Sequence, residues 1–257
     1  MKTCYFNSEL SELPHPTGEV NHLGNKDGGD VYECKDCGLV FVPQVSRDEY
    51  LQIYKEPGNY YETSVSIGYK NFNERFEHDY EVSEVRLKNL QSRIIGGGDS
   101  PRVLDVGCGN CALLKRLRGA GFDAVGVDLD VFSVNRGTKI ANVPEVSIRD
   151  FIDYSPNGQF DAVLFTDSFE HFLIPHSCAK HAVSMLTDNG ILVLEMPDTD
   201  CDGFHTDKIC WRHVKPREHP FLYAQRHVES IFAVYGFCIF NTLSTIPGRV
   251  VYYLKRG

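Results

Sequence analysis

The 257-residue chain has no run long and apolar enough to span a bilayer, and its first residues lack the apolar core of a secretory signal. Positive charge is scarce as well: 26 Lys and Arg stand against 35 Asp and Glu, a net charge of −9. A sequence-independent grip on nucleic acid needs clustered Lys and Arg, so nucleic acid is not an expected partner. The one basic cluster, Lys208, Arg212, Lys215 and Arg217, is short, interleaved with His and acids, and reads as a solvated loop. No internal repeat or low-complexity tract is present. The expectation is a soluble, cytoplasmic protein. In that compartment its nine cysteines point to buried thiols or a metal and not to a disulfide framework.

At this length the chain has room for one full α/β domain and a smaller appendage. Residues up to about Val42 are rich in Gly, Asn, Asp and Pro, and show no regular periodicity. A Tyr-rich connecting stretch follows (Tyr54, Tyr60, Tyr61, Tyr69). From Phe72 to Ile95 the apolar stripe Phe72, Phe76, Leu87, Leu90 and Ile94 predicts a helix, which the run Gly96-Gly97-Gly98-Asp99-Ser100-Pro101 ends. Strands and helices then alternate up to Pro197, which implies a parallel sheet with helices on both faces. An irregular polar-aromatic insert spans Asp198 to Phe221. A helix over Tyr223–Tyr235 and an antiparallel pair, Phe237–Leu243 and Arg249–Leu254, complete the chain. The expected division is 1–45, a small N-terminal segment; 46–98, a linker and helical cap; and 99–257, the α/β domain.

The most informative stretch is Arg102-Val103-Leu104-Asp105-Val106-Gly107-Cys108-Gly109-Asn110. It reads as a buried strand that breaks into two glycines and a helix. Glycines there let the backbone approach a ligand that a Cβ would push away, and the helix start aims its N–H groups at the same spot. Leu113, Leu114 and Leu117 share one face of that helix, and Gly119 and Gly121 supply its stop. Ala124-Val125-Gly126-Val127-Asp128 is then a second strand tipped by an acid that can accept both hydroxyls of a ribose. Together these make a nucleoside-binding βαβ unit. A dinucleotide turn prefers a third glycine, where this chain has the tolerated Ala112. Asp105 decides the matter: a carboxylate before the first glycine repels a diphosphate and welcomes a cationic ligand. The plainer reading is a turn or cap residue.

These residues resemble motif I and the acidic loop of class I S-adenosylmethionine-dependent methyltransferases. The similarity runs from about Asp99 to Lys255. Arg149-Asp150-Phe151 resembles the adenine-contacting loop. Phe160-Asp161-Ala162-Val163-Leu164-Phe165 resembles the fourth strand, and Asp167-Ser168-Phe169-Glu170-His171 the segment after it. Asn189–Pro197 resembles the family's turn, strand and proline, and Tyr235-Gly236-Phe237 the step before the last hairpin. The resemblance implies a doubly wound, mostly parallel seven-stranded sheet and S-adenosylmethionine as cofactor. It implies contacts to that cofactor from Asp105, Gly107, Cys108, Gly109, Asp128, Leu129, Asp150, Phe151 and Phe165. Cys108 and Cys111, as small buried side chains, are also explained by packing. The implied reaction is in-line methyl transfer to an O- or C-nucleophile of a small molecule. Amino-group methylation in this superfamily usually goes with an Asn/Asp-Pro-Pro-aromatic motif, whose place Thr166-Asp167-Ser168-Phe169 takes, and the proline–cysteine of pyrimidine C5 methylation is missing. Nucleic-acid or protein methylation, or cofactor binding without catalysis, are the alternatives.

For the acceptor, His171 is the candidate base, with Glu170 to orient it or help hold a metal. The plainer reading is that His171 caps its segment or bonds to backbone. His205, Trp211, His213, Glu218 and His219 of the insert could line an acceptor pocket, sit on the surface or pack as a lid. Near the N-terminus, Cys34-Lys35-Asp36-Cys37-Gly38 has the spacing of a zinc knuckle, and Tyr32–Phe41 resembles the second half of a zinc ribbon carried by some of these methyltransferases. The first half departs from it: Asn7 stands where a cysteine belongs. Cys4, His22, Cys34 and Cys37 are the expected ligands of one structural zinc, the alternative being a vestigial ribbon without metal.

Overall fold

The computed structural model describes residues 19–43, 47–55, 69–94, 100–143 and 146–257. In chain order the strands are β1 (Val20–Lys26), β2 (Gly29–Cys34), β3 (Val40–Phe41), β4 (Arg102–Val106), β5 (Asp123–Asp128), β6 (Val146–Ile148), β7 (Phe160–Thr166), β8 (Leu186–Pro197), β9 (Phe221–Leu222), β10 (Phe237–Ile246) and β11 (Arg249–Arg256). The helices are α1 (Arg47–Lys55), α2 (Phe72–Gln91), α3 (Ala112–Gly119), α4 (Val131–Ala141), α5 (Pro175–Ser184), α6 (Asp202–Asp207) and α7 (Gln225–Ala233).

Seven strands form one sheet in the order β10-β11-β8-β7-β4-β5-β6. The pairs β4–β5, β4–β7 and β5–β6 are parallel, and β10–β11 is antiparallel. This is the mostly parallel seven-stranded sheet that the family resemblance implied. Strands of such sheets are covered on both faces and read as continuous apolar runs, as in Ala162-Val163-Leu164-Phe165, all buried. The chain divides into two compact units: residues 1–50, 167–183 and 193–257, and residues 51–166 and 184–192. In the second, β4 and β5 converge on the glycine turn. There α2 starts on Asn71, whose Oδ1 accepts from the Glu74 N–H (3.0 Å), and its Phe72, Phe76, Leu87 and Leu90 are buried as the stripe predicted. Asp130 caps α4 through the Ser133 N–H (3.0 Å) and hydroxyl (2.6 Å).

In the first unit, residues 20–41 lack helical periodicity because they form a β-meander. β1, β2 and β3 pair in sequence, and β9 from the far end of the insert completes a four-stranded sheet. Its core gathers Val31, Val40 and Val42 with Phe204, Trp211, Val214 and Leu222. Trp211, 4% exposed, packs into this core and also lines a cleft with Asp200, Cys201, Gly203 and Gly248. Among the described residues no helix is long and apolar enough to cross a membrane.

Candidate functional site

The turn after β4 is built as the glycine spacing demands. Gly107 and Gly109 adopt φ of 78° and 50°, and Cys111 takes φ 64° at the helix start. A non-glycine residue in that region is costly, by roughly 1–2 kcal/mol, and such strain persists only where the surroundings over-determine it. Here they do. The Gly107 N–H donates to the Val127 carbonyl (2.8 Å), Asn110 Oδ1 accepts from the Ala112 N–H (3.1 Å), and Asn110 Nδ2 donates to Asp79 Oδ2 on α2 (2.7 Å).

Two carboxylates face this loop. Asp128, at the tip of β5, accepts the Gly109 N–H on Oδ2 and the Asp130 N–H on Oδ1, both at 2.7 Å. Burial raises its pKa to about 6 against the pull of those backbone donors. Asp105 on β4 is 2% exposed, and its Oδ1 has no hydrogen-bond partner among the described residues. Burial pushes its pKa from 3.8 to about 7; Arg86 opposes this and Asp128 adds to it. A buried, half-satisfied carboxylate is costly unless something pairs with it. The Cys108 thiol is held protonated, its pKa raised first by a hydrogen bond with Cys111 and then by burial. The side chain is buried in the turn.

The adenine-loop residues lie in the same unit. Leu129 is half-buried directly after β5, and the Arg149 N–H donates to the Asp128 carbonyl (3.0 Å). Asp150 caps the short turn Phe151–Asp153 by accepting from the Ile152 N–H (3.2 Å). Phe151 meets Phe165 edge to face at 5.6 Å. Phe165 is fully buried on β7, so it backs the Phe151 ring and presents no open surface to a ligand.

In the other unit, Glu170 and His171 fall in the short helical turn Phe169–His171. Glu170 is 1% exposed, and burial, then the nearby Asp167, raise its pKa to about 8. Burial lowers His171 to about 4, so its imidazole is neutral at physiological pH. The His171 and His219 rings meet edge to face at 4.7 Å. Glu170, His171 and His219 are the one set of three or more metal-ligand side chains brought together among the described residues.

Cys34 to Gly38 form a tight turn. The Gly38 N–H donates to the Cys34 carbonyl (2.8 Å), the Cys34 N–H to the Leu39 carbonyl (2.8 Å), and Gly38 sits at φ 75°. The Cys37 carbonyl accepts Arg226 Nε (2.8 Å) and His227 Nε2 (2.9 Å). The expected fourth ligand is a correction: His22 does not gather with Cys34 and Cys37. Val20, not His22, stands opposite Cys34 in the β1–β2 register, and His22 Nε2 lies 3.1 Å from Asp30 Oδ1 on a half-exposed hairpin face. Cys4, Tyr60 and Tyr61 lie outside the described residues.

Residues 76–240 match the methyltransferase domain family. The chain belongs to that family. The matched span contains the glycine turn, Asp128, Phe151 and the Glu170–His171 pair. The ubiquinone biosynthesis O-methyltransferase of Bordetella avium is 26% identical over 125 residues, 45% of this chain and 50% of that protein. The enzyme of the same name from Ralstonia nicotianae is 28% identical over 126 residues, 46% of this chain and 51% of that protein. The chain spans about half the length of these relatives. Among solved structures, magnesium protoporphyrin IX methyltransferase from Synechocystis PCC 6803, with bound SAH, shares the fold. Its TM-score is 0.58 at 19% identity, covering 82% of this chain and 94% of that one. DesVI of Streptomyces venezuelae follows at a TM-score of 0.54, 18% identity and 70% and 92% coverage.

Two parts of this methyltransferase domain escape sequence reasoning. Asp79 lies one turn beyond Phe76 on α2, and only its place beside the buried stripe hints that an acid there faces inward. His219 stands out in the insert as one histidine of three. Its pairing with His171, across 47 intervening residues, has no local signal.

Proposed function

We propose that the chain binds S-adenosylmethionine at the glycine turn and transfers a methyl group, by in-line displacement, to an oxygen or carbon nucleophile of a small-molecule acceptor. The observation that carries this reading is Asp105, a buried carboxylate with one oxygen lacking a donor. A diphosphate would meet like charge there. A ligand ammonium supplies both the missing donor and the counter-charge, so the site fits a cationic nucleoside. The names of the relatives support a small-molecule acceptor.

S-adenosylmethionine, when bound, supplies a methyl carbon on a sulfonium leaving group. Gly107 and Gly109 let its methionine portion lie against backbone, with Asp105 at the ammonium and the Cys108 thiol closing the packing. Asp128 accepts the ribose hydroxyls with the lone pairs its two backbone donors leave over. Leu129 packs on the adenine, Asp150 accepts from its amino group, and Phe151 flanks the ring with Phe165 behind it. With the leaving group already activated, positioning is the protein's main contribution and can supply about 7–11 kcal/mol. His171 and Glu170 belong to the proposal as the acceptor-side pair. A neutral imidazole has a lone pair that can take a proton or ligate a cation. Cys34 and Cys37, with Cys4 as a further donor, are proposed to hold a structural zinc, because a small β-unit buries little core without a staple.

The test is calorimetry with S-adenosylmethionine and with NAD, on the parent and on Asp128→Asn. We expect binding of the first ligand only. The substitution removes charge-assisted hydrogen bonds worth about 1.5–3 kcal/mol each, so affinity should drop at least 10-fold. Parental affinity in Asp128→Asn removes the ribose assignment. Transfer of a radiolabelled methyl group into a metabolite extract separates an enzyme from a binder.

A further inference from the structure

We infer that Glu170, His171 and His219 form a binding site for one divalent transition-metal ion, with zinc the best match to the donor set. Two imidazoles and a carboxylate are ligands that zinc takes in catalytic sites, where three protein donors leave a fourth position for water or an acceptor oxygen. The donor atoms already lie within 4.8 Å of one another. A tetrahedral ion with bonds of about 2.0–2.2 Å holds its ligands roughly 3.4 Å apart, so small side-chain rotations close the set.

Glu170 is the independent observation. Its side chain is 1% exposed, and Oε2 has no hydrogen-bond partner among the described residues. A buried carboxylate oxygen left in that state costs free energy that a cation would recover. The histidines carry the outer-shell bonds that fix metal-binding imidazoles. His219 Nδ1 lies 2.8 Å from the His213 carbonyl. A carbonyl only accepts, so Nδ1 carries the proton and Nε2 the lone pair. His171 bonds to the Glu218 backbone. The Tyr50 hydroxyl, within 2.8 and 2.7 Å of the His171 and Glu218 carbonyls, ties the two ligand-bearing segments together. The cations nearby are already matched: Lys215 pairs with Glu218 (2.9 Å), and Arg249 with Asp167 and Glu195. Both act on Glu170 only through space, and burial outweighs their pull.

The test needs neither cofactor nor turnover, so it fails separately from the proposed methyl transfer. Chelator-stripped full-length chain is titrated with cobalt(II). The expected result is one ion per chain with the intense visible bands of tetrahedral cobalt and no sulfur-to-metal charge transfer, whatever the cysteine knuckle takes up besides. Glu170→Gln and His219→Gln should each weaken this site at least 100-fold while leaving S-adenosylmethionine affinity unchanged. X-ray absorption on zinc-loaded Cys34→Ser, which removes the thiolate site and leaves Glu170, His171 and His219 intact, should show imidazole scattering without sulfur and keeps the test independent of how the ligand variants fold. Cobalt bound only with thiolate bands, no binding at all, or binding unchanged in Glu170→Gln overturns the proposal.

Discussion

Asp105→Asn is the sharpest perturbation of the cofactor site, because it separates what the carboxylate does for binding from what it costs the fold. With the pKa raised by burial from 3.8 to about 7, the folded protein holds a proton there that the unfolded chain has lost. Stability from this group is therefore complete below pH 3.8 and is lost as pH rises through about 7. At 1.36 kcal/mol per unit, the loss is about 2 kcal/mol at pH 5 and about 4 at pH 7. Asparagine removes the titration but leaves an amide whose own unmet hydrogen bonds cost about 1–3 kcal/mol. The net expectation is a variant about 1–3 kcal/mol more stable than the parent at pH 7 and roughly equal to it at pH 5. At about 2–4 °C per kcal/mol for a chain of this size, that is a visible rise in Tm.

Binding should move the other way. Removing one partner of a buried ion pair costs about 3–5 kcal/mol, so S-adenosylmethionine affinity should fall by about 10²–10⁴-fold. In the parent the ligand selects ionised Asp105, so affinity should decline toward tenfold per pH unit below about pH 6, and the variant should lack that slope. Urea unfolding at pH 5 and 7, with calorimetry at both, reads all of this. A variant that is equally destabilised at the two pH values, or that binds with parental affinity, refutes the reading of Asp105 as an unpaired cation receptor.

Gly137 on α4 tests the loop from behind. Alanine in a helix normally gains about 1 kcal/mol over glycine, but a Cβ here would stand 2.8 Å from the Asn110 Cα and against its carbonyl. Overpacking of about 1–3 kcal/mol should win, so Gly137→Ala should lower both Tm and cofactor affinity; a raised Tm with full affinity would sink that account. For the knuckle, chain purified without chelator should carry a zinc that Cys34→Ser releases. A chain whose zinc content is unchanged by that substitution contradicts the assignment.

The parts of the site that could be read from the chain are those whose cause is local. Gly107, Gly109 and Asp128 are legible because a tight turn and a strand tip impose residue types at fixed spacing, and the structure builds them within one βαβ unit. Leu113, Leu114 and Leu117 are legible for the same reason: a helical face is a short-range pattern, and all three are buried. What was not legible is made by closure over distance. The N-terminal segment reads as irregular because its sheet is completed by Phe221 and Leu222, two residues that no window around Val40 contains. Trp211 is packed by Val31 and Val40 from the far end of the chain, a contact that no window around the insert contains. His22 had the right element for a ligand and the wrong register, and one pair step along β1 gave it to Asp30. The same logic bears on Glu170 and His171. Adjacent residues suggest an acid and a base that act on each other, but the third member, His219, lies 48 positions on. Two imidazoles beside a carboxylate oxygen with no hydrogen to accept fit a cation better than a pair for moving a proton.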